Sequence, residues 1–167
     1  MKRVALYRGD ITKLEVDAIV NAANTTLLGG GGVDGAIHRA AGPKLLKECK
    51  KLDGCPTGIA KITKGYNLPA KYVIHTVGPV WKGGKHNEEK LLAGCYRNSL
   101  KIAEENKITS IAFPAISTGV YHFPTELAAK IAVKQIKKFF VKNDILEKII
   151  FVCFDEKTYQ AYDKYLK

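Results

Sequence analysis

The chain has 167 residues, 46% of them hydrophobic and 26% charged, the length and balance of a folded domain that buries a core without disulfide or metal support. Those values exclude a disordered or fibrous chain, and the longest apolar run, residues 149–154, is too short to cross a bilayer. Lysine and arginine outnumber acids by 27 to 16, a formal charge of +11, which concentrates anionic partners without choosing among nucleotide, nucleic acid and acidic protein.

Residues 4–7 predict the first strand, followed by GDIT at 9–12, where Asp10 can cap a helix. A second strand is predicted at 18–20, and NAANTTLLGGGGVDGAIHRAA at 21–41 then runs from strand end through four glycines into a small-residue helix over 33–41. Four ordered glycines cost backbone entropy. What they offer is positive φ and no Cβ, so that successive N–H groups converge on an anion such as a diphosphate at a helix N-terminus. A flexible connection is the plainer alternative. Asp34 is either the cap of that helix or an acid beside the anion, and Asn21 and Asn24 are either turn-formers or polar contacts. Gly30, Gly32 and Gly35 satisfy GxGxxG, but residues 21–28 separate them from the strand, against a dinucleotide-binding unit. No Gly-Lys-Ser/Thr ending makes a Walker loop.

Further helices are predicted at 43–52, 88–106, 124–141 and 156–166, with a weak strand at 61–65 and stronger ones at 72–77, 110–113 and 148–154. In the two longest helices apolar residues recur every three or four positions, giving each one face toward a sheet. Residues 83–87 read as a polar surface loop. PAISTGVYHFP at 114–124 follows a strand and precedes a helix, so Ser117, Thr118 and Gly119 could grip the same anion from the opposite side, or simply turn. His38 and His75 lack a spaced nucleophile and are placed as core or hydrogen-bonded histidines. Cys49, Cys55, Cys95 and Cys153 are scattered and predict reduced thiols, with neither a disulfide framework nor a zinc site. The alternation predicts an α/β fold: a single domain over 1–167, a three-layer α/β/α sandwich with a mixed central sheet, mixed because the N-terminal segments look hairpin-like. Without a signal-peptide-like start the expectation is a cytoplasmic monomer with no membrane partner.

Together, GDIT at 9–12, NAAN at 21–24, GGGGVDGAIH at 29–38, GYNLPAKYVIHTVGP at 65–79 and AFPAISTGVY at 112–121 closely resemble the MacroD-type macrodomain family of ADP-ribosyl-acceptor hydrolases. The resemblance implies that Asp10 accepts the adenine amino group with Ile11 beside it, and that Phe154 stacks on the base. It places Gly31, Gly32, Val33 and the loop Ser117, Thr118, Gly119, Val120 and Tyr121 around the diphosphate. Asn21 belongs to the same ligand set, while Asn24, Asp34 and Tyr121 surround the distal ribose. Asn24 and Asp34 are then the catalytic pair. Implied partners are ADP-ribose and ADP-ribosylated proteins, and the implied activity is removal of mono-ADP-ribose from glutamate or aspartate, with deacetylation of O-acetyl-ADP-ribose as a close second. A non-catalytic ADP-ribose reader and a poly(A)-binding or other nucleic-acid-binding module are the rivals. No cofactor is expected, and no metal, since the chain lacks the Cys/His insertion of zinc-containing macrodomains. One departure is His122, where the family has glycine in VYGFP: a side chain there could narrow the cleft or add a donor to a phosphate, which bears on the loop geometry and not on the ligand.

Overall fold

The computed structural model describes residues 3–167. Strands β1 (Val4–Arg8), β2 (Ala18–Ala22), β3 (Ala60–Lys64), β4 (Tyr72–Thr76), β5 (Ser110–Pro114) and β6 (Lys148–Cys153) form a six-stranded sheet in the order β1-β6-β5-β2-β4-β3. Helices α1 (Gly32–Ala41), α2 (Pro43–Lys51), α3 (Glu88–Glu105), α4 (Thr125–Lys142) and α5 (Glu156–Leu166) cover it. Alternation along the strands divides the core. Ile19, Val73, Ala112, Ile150 and Val152 face one way and pack under Ile37 and Ala41 of α1 and Leu45 and Cys49 of α2. Val20, Ile74, Ile111, Phe113, Ile149 and Phe151 face the other way, against Leu92 and Tyr96 of α3, Ala132 and Ile136 of α4 and Tyr162 of α5. The result is the expected three layers.

The sheet is mixed for a different reason from the one the N-terminal pattern suggested. β1 and β2 are not neighbours; β1 is an edge strand parallel to β6. The antiparallel member is β3, at the other edge, paired with β4. The intervening turn is closed by the Gly65 N–H donating to Lys71 O at 2.8 Å and the Leu68 N–H donating to Gly65 O at 3.0 Å. β2 and β5 lie side by side and parallel. Their starts are tied through Asp17, which accepts from the Thr109 N–H (2.9 Å) and hydroxyl (3.0 Å) and donates its own N–H to Ser110 Oγ at 2.8 Å. Fixing those starts fixes where the two strands end.

Candidate active site

At their carboxyl ends β2 and β5 part: β2 leads through the glycine run to α1 on one face, and β5 leads through residues 115–124 to α4 on the other. Such a divergence opens a crevice in an α/β sheet. A cavity of about 600 Å³ lies there, lined by both loops and by the start of α5.

The glycine run forms one wall. Gly29 and Gly32 hold φ of +90° and +55°, which a side chain would strain, while Gly31 takes ordinary extended geometry and begins α1 with no side-chain cap among the described residues. A Cβ on Gly31 or Gly32 would meet nothing within 4 Å, so the missing side chains keep space open instead of relieving a clash. N–H groups left uncapped at a helix N-terminus suit an anion. In the opposite loop Ser117 adopts φ +67°, and the turn is closed by the Phe123 N–H to Ser117 O (2.9 Å) and the His122 N–H to Gly119 O (3.0 Å). The Trp81 N–H donates to Tyr121 O at 2.8 Å and braces it from behind.

Asp34 is not the cap of α1. It is the third helical residue, 5% exposed, so its carboxylate turns inward. Oδ1 accepts from Asn21 Nδ2 at 2.9 Å and lies 3.5 Å from Nε2 of His38, one turn further along, without hydrogen-bond geometry. Oδ2 faces Gly30, 3.3 Å from where a Cβ would stand. A buried acid therefore has one oxygen held and one turned to the glycine wall. Asn24 shapes that wall: its Oδ1 accepts from the Thr26 N–H (3.1 Å), the Thr26 hydroxyl (2.6 Å) and the Leu27 N–H (3.2 Å), while Nδ2 donates to Gly29 O at 2.9 Å. One Nδ2 proton is left for a ligand.

Two loops, one of them glycine-rich, thus flank a buried acid, and the Macro domain family matches residues 20–132. The chain belongs to that family. It is 62% identical to human ADP-ribose glycohydrolase MACROD2, an alignment covering 98% of this chain and 39% of that protein. It is 58% identical to an O-acetyl-ADP-ribose deacetylase of Escherichia fergusonii, covering 98% and 95% of the two chains. Among solved structures, the Trypanosoma brucei macrodomain in complex with ADP-ribose superimposes with a TM-score of 0.93 at 50% identity, over 99% of this chain and 69% of that one.

In this macrodomain the sequence-predicted residues fall into three groups. Asn24, Gly31, Gly32, Val33, Asp34, Ser117, Thr118, Gly119, Val120, Tyr121 and Phe154 all line the cavity. Asn21 stands behind Asp34, fully buried, and reaches the cavity only through it. Asp10 and Ile11 do not line the cavity, but they begin the turn after β1, and the pairing of Arg8 with Cys153 brings that turn beside Phe154. Asp10 accepts from the Thr12 hydroxyl (2.6 Å) and N–H (2.9 Å), bonds that hold its carboxyl below the ordinary value of 3.8. Phe154 is 75% exposed, an aromatic face outside both core clusters. His122 takes φ +61°, the conformation for which glycine is the usual choice, and is exposed and outside the cavity lining. A side chain at this position therefore points away from the residues that line the cavity.

Five contributors stand outside the predicted set. His38 lies beside Asp34, and their spacing of four on one helix was the available signal. His75 meets Asn21 from the neighbouring strand, in register with it. Thr125, Lys157 and Thr158 complete the cavity from the starts of α4 and α5. There Asp155 caps α5 by accepting the Thr158 N–H at 2.8 Å.

Proposed function

We propose that this macrodomain binds ADP-ribose and hydrolyses the bond between mono-ADP-ribose and glutamate or aspartate side chains, as a cytosolic enzyme that uses no metal. The observation that carries this reading is Asp34, a buried carboxylate with Oδ1 held by Asn21 and Oδ2 turned to the glycine wall. The adenine would lie against Phe154 with its amine on Asp10, since a carboxylate reads an exocyclic amine and an aromatic face stacks a base. The diphosphate would lie between the start of α1 and the Ser117–Tyr121 loop. That would put the distal ribose over Asp34 and Asn24.

Water then attacks the anomeric carbon, the bond from that carbon to the carboxylate oxygen breaks, and ADP-ribose leaves a restored acidic side chain. The proton lost by water passes to Asp34 or to a substrate phosphate. A carboxylate leaves readily, so the reaction does not need the second acid of an ordinary glycosidase. O-acetyl-ADP-ribose carries an acyl ester on the same ribose; there water would attack the acetyl carbon, the acyl C–O bond would break and acetate and ADP-ribose would leave, a second activity that the deacetylase relative favours. Two measurements test the reading: calorimetric titration with ADP-ribose, and release of ADP-ribose from a glutamate-modified protein. Binding with turnover is expected. Binding without turnover leaves a reader, and affinity for poly(A) that collapses with salt while ADP-ribose fails to bind favours a nucleic-acid module.

A further inference from the structure

Asn21, His75 and Thr63 lie on adjacent strands β2, β4 and β3, and alternation turns all three toward the face covered by α1 and α2. They form a bonded line that ends on Asp34. Asn21 Nδ2 donates to Asp34 Oδ1 at 2.9 Å and meets His75 Nδ1 at 3.1 Å; His75 Nε2 lies 2.9 Å from Thr63 Oγ1. Asn21 and His75 have no exposed surface. The protons along this line follow from the carboxylate. Asn21 presents N–H groups to Asp34, because its carbonyl oxygen there would face another acceptor. The second N–H then points at Nδ1, which must be bare, so the ring carries its proton on Nε2 and donates it to Thr63.

We propose that His75 is a positioning residue for the hydrolysis: an uncharged acceptor whose Nδ1 fixes the Asn21 amide so that Asn21 holds Asp34 Oδ1 and leaves Oδ2 toward the substrate. This rests on the hydrolase reading above. Burial, and after it the neighbouring His38, pushes the His75 ring down to about 3, so it stays neutral across the working range. The arrangement also explains why His38 is not the orienting partner: it approaches Asp34 without forming a hydrogen bond.

Two substitutions separate the ends of the ring. Asparagine places an amide oxygen where Nδ1 was; glutamine restores a polar group near Nε2 but none at Nδ1. His75→Gln should lower kcat on glutamate-linked ADP-ribose by roughly 10–100-fold with KM and ADP-ribose affinity changed less than about threefold, while His75→Asn recovers kcat to within about fivefold of wild type. An active wild type beside an equally active His75→Gln overturns the role of His75 alone, as does a His75→Asn variant no faster than His75→Gln, which would mean packing and not the acceptor. A wild type that does not turn over sinks the hydrolase reading and this role with it. Independently of folding in the variants, 15N NMR of the wild-type ring should show Nε2 protonated and Nδ1 bare at neutral pH; the opposite tautomer or a charged ring overturns the proposal.

Discussion

Asp34 occupies the third position of a helix that has no side-chain cap among the described residues, where the positive end of the helix favours a negative charge. Its environment makes two demands separable. Asp34→Ala leaves an N–H of the buried Asn21 without its acceptor, a cost of roughly 1–3 kcal/mol that should appear as a lower Tm. It also removes the carboxylate proposed to face the ribose, so hydrolysis should slow by roughly 10²–10⁴ while ADP-ribose binding stays within about tenfold. A folded variant with unchanged turnover would take the chemistry away from Asp34. At the other end of the site Asp10 is exposed, and Thr12 uses only its Oδ1. Asp10→Ala should weaken ADP-ribose binding by about 1.5–3 kcal/mol through loss of a charge-assisted bond. Inosine diphosphate ribose, lacking the amine, should bind the wild type poorly; equal affinity for the two ligands removes Asp10 from the site.

At the scale of elements, the segment before α3 is more than the polar surface loop its composition predicts. It wraps around Glu88, whose carboxylate accepts N–H groups from Lys82 (2.8 Å), Gly84 (2.9 Å) and His86. Burial raises the Glu88 carboxyl, but these backbone donors outweigh it and hold it at about 2. The loop seats Gly84 against the Trp81 ring, and Trp81 in turn donates to Tyr121 O and packs on Phe123 with ring centres 4.8 Å apart. Glu88→Gln keeps the shape but loses acceptor capacity. Amide exchange should therefore quicken at residues 82–86 and at 121–123, and ADP-ribose binding should weaken roughly 3- to 10-fold. Faster exchange confined to 82–86 would show that the brace does not reach the binding loop. Glu88 illustrates what sequence could not convey: nothing in its pattern distinguishes a nest-forming acid from any other first-turn glutamate. The glycine run and the existence of α1 after it were legible, since glycine and small-residue spacing are local signals. Asp34 as an interior residue was not, because a shift of two or three positions in the helix start converts a cap into a buried acid. His75 could be placed on a strand face by alternation, yet its meeting with Asn21 depends on β2 and β4 being neighbours, and strand order is not written in local pattern. The same gap explains the expected N-terminal hairpin: direction and pairing of β1 are set by β6, about 140 residues away.

For the whole molecule, the shifted groups divide the acid range into two windows. Asp10, Asp17, Asp155 and Glu88 all have folded values below their ordinary 3.8 or 4.5, so the stability they give is present above those values and is lost as pH falls through them. His75 acts earlier. Its ordinary value is 6.5 and its folded value about 3, so below pH 6.5 the unfolded chain takes up a proton that the native ring refuses. Stability should therefore start to fall near pH 6.5, with a slope approaching about 1.4 kcal/mol per pH unit and a total on the order of 2 kcal/mol by pH 4.5. In that window the four carboxylates contribute little, and His75 dominates among these groups. Scanning Tm from pH 7 to 4.5 for the wild type and His75→Gln isolates it. The variant starts lower, having lost buried hydrogen bonds, but the wild type should lose about 4–8 °C more across the window, at roughly 2–4 °C per kcal/mol for a chain of this size. Parallel curves would mean that the native ring takes up its proton as readily as the unfolded one. That would contradict both its burial and the bare Nδ1 on which the Asn21–Asp34 contact depends.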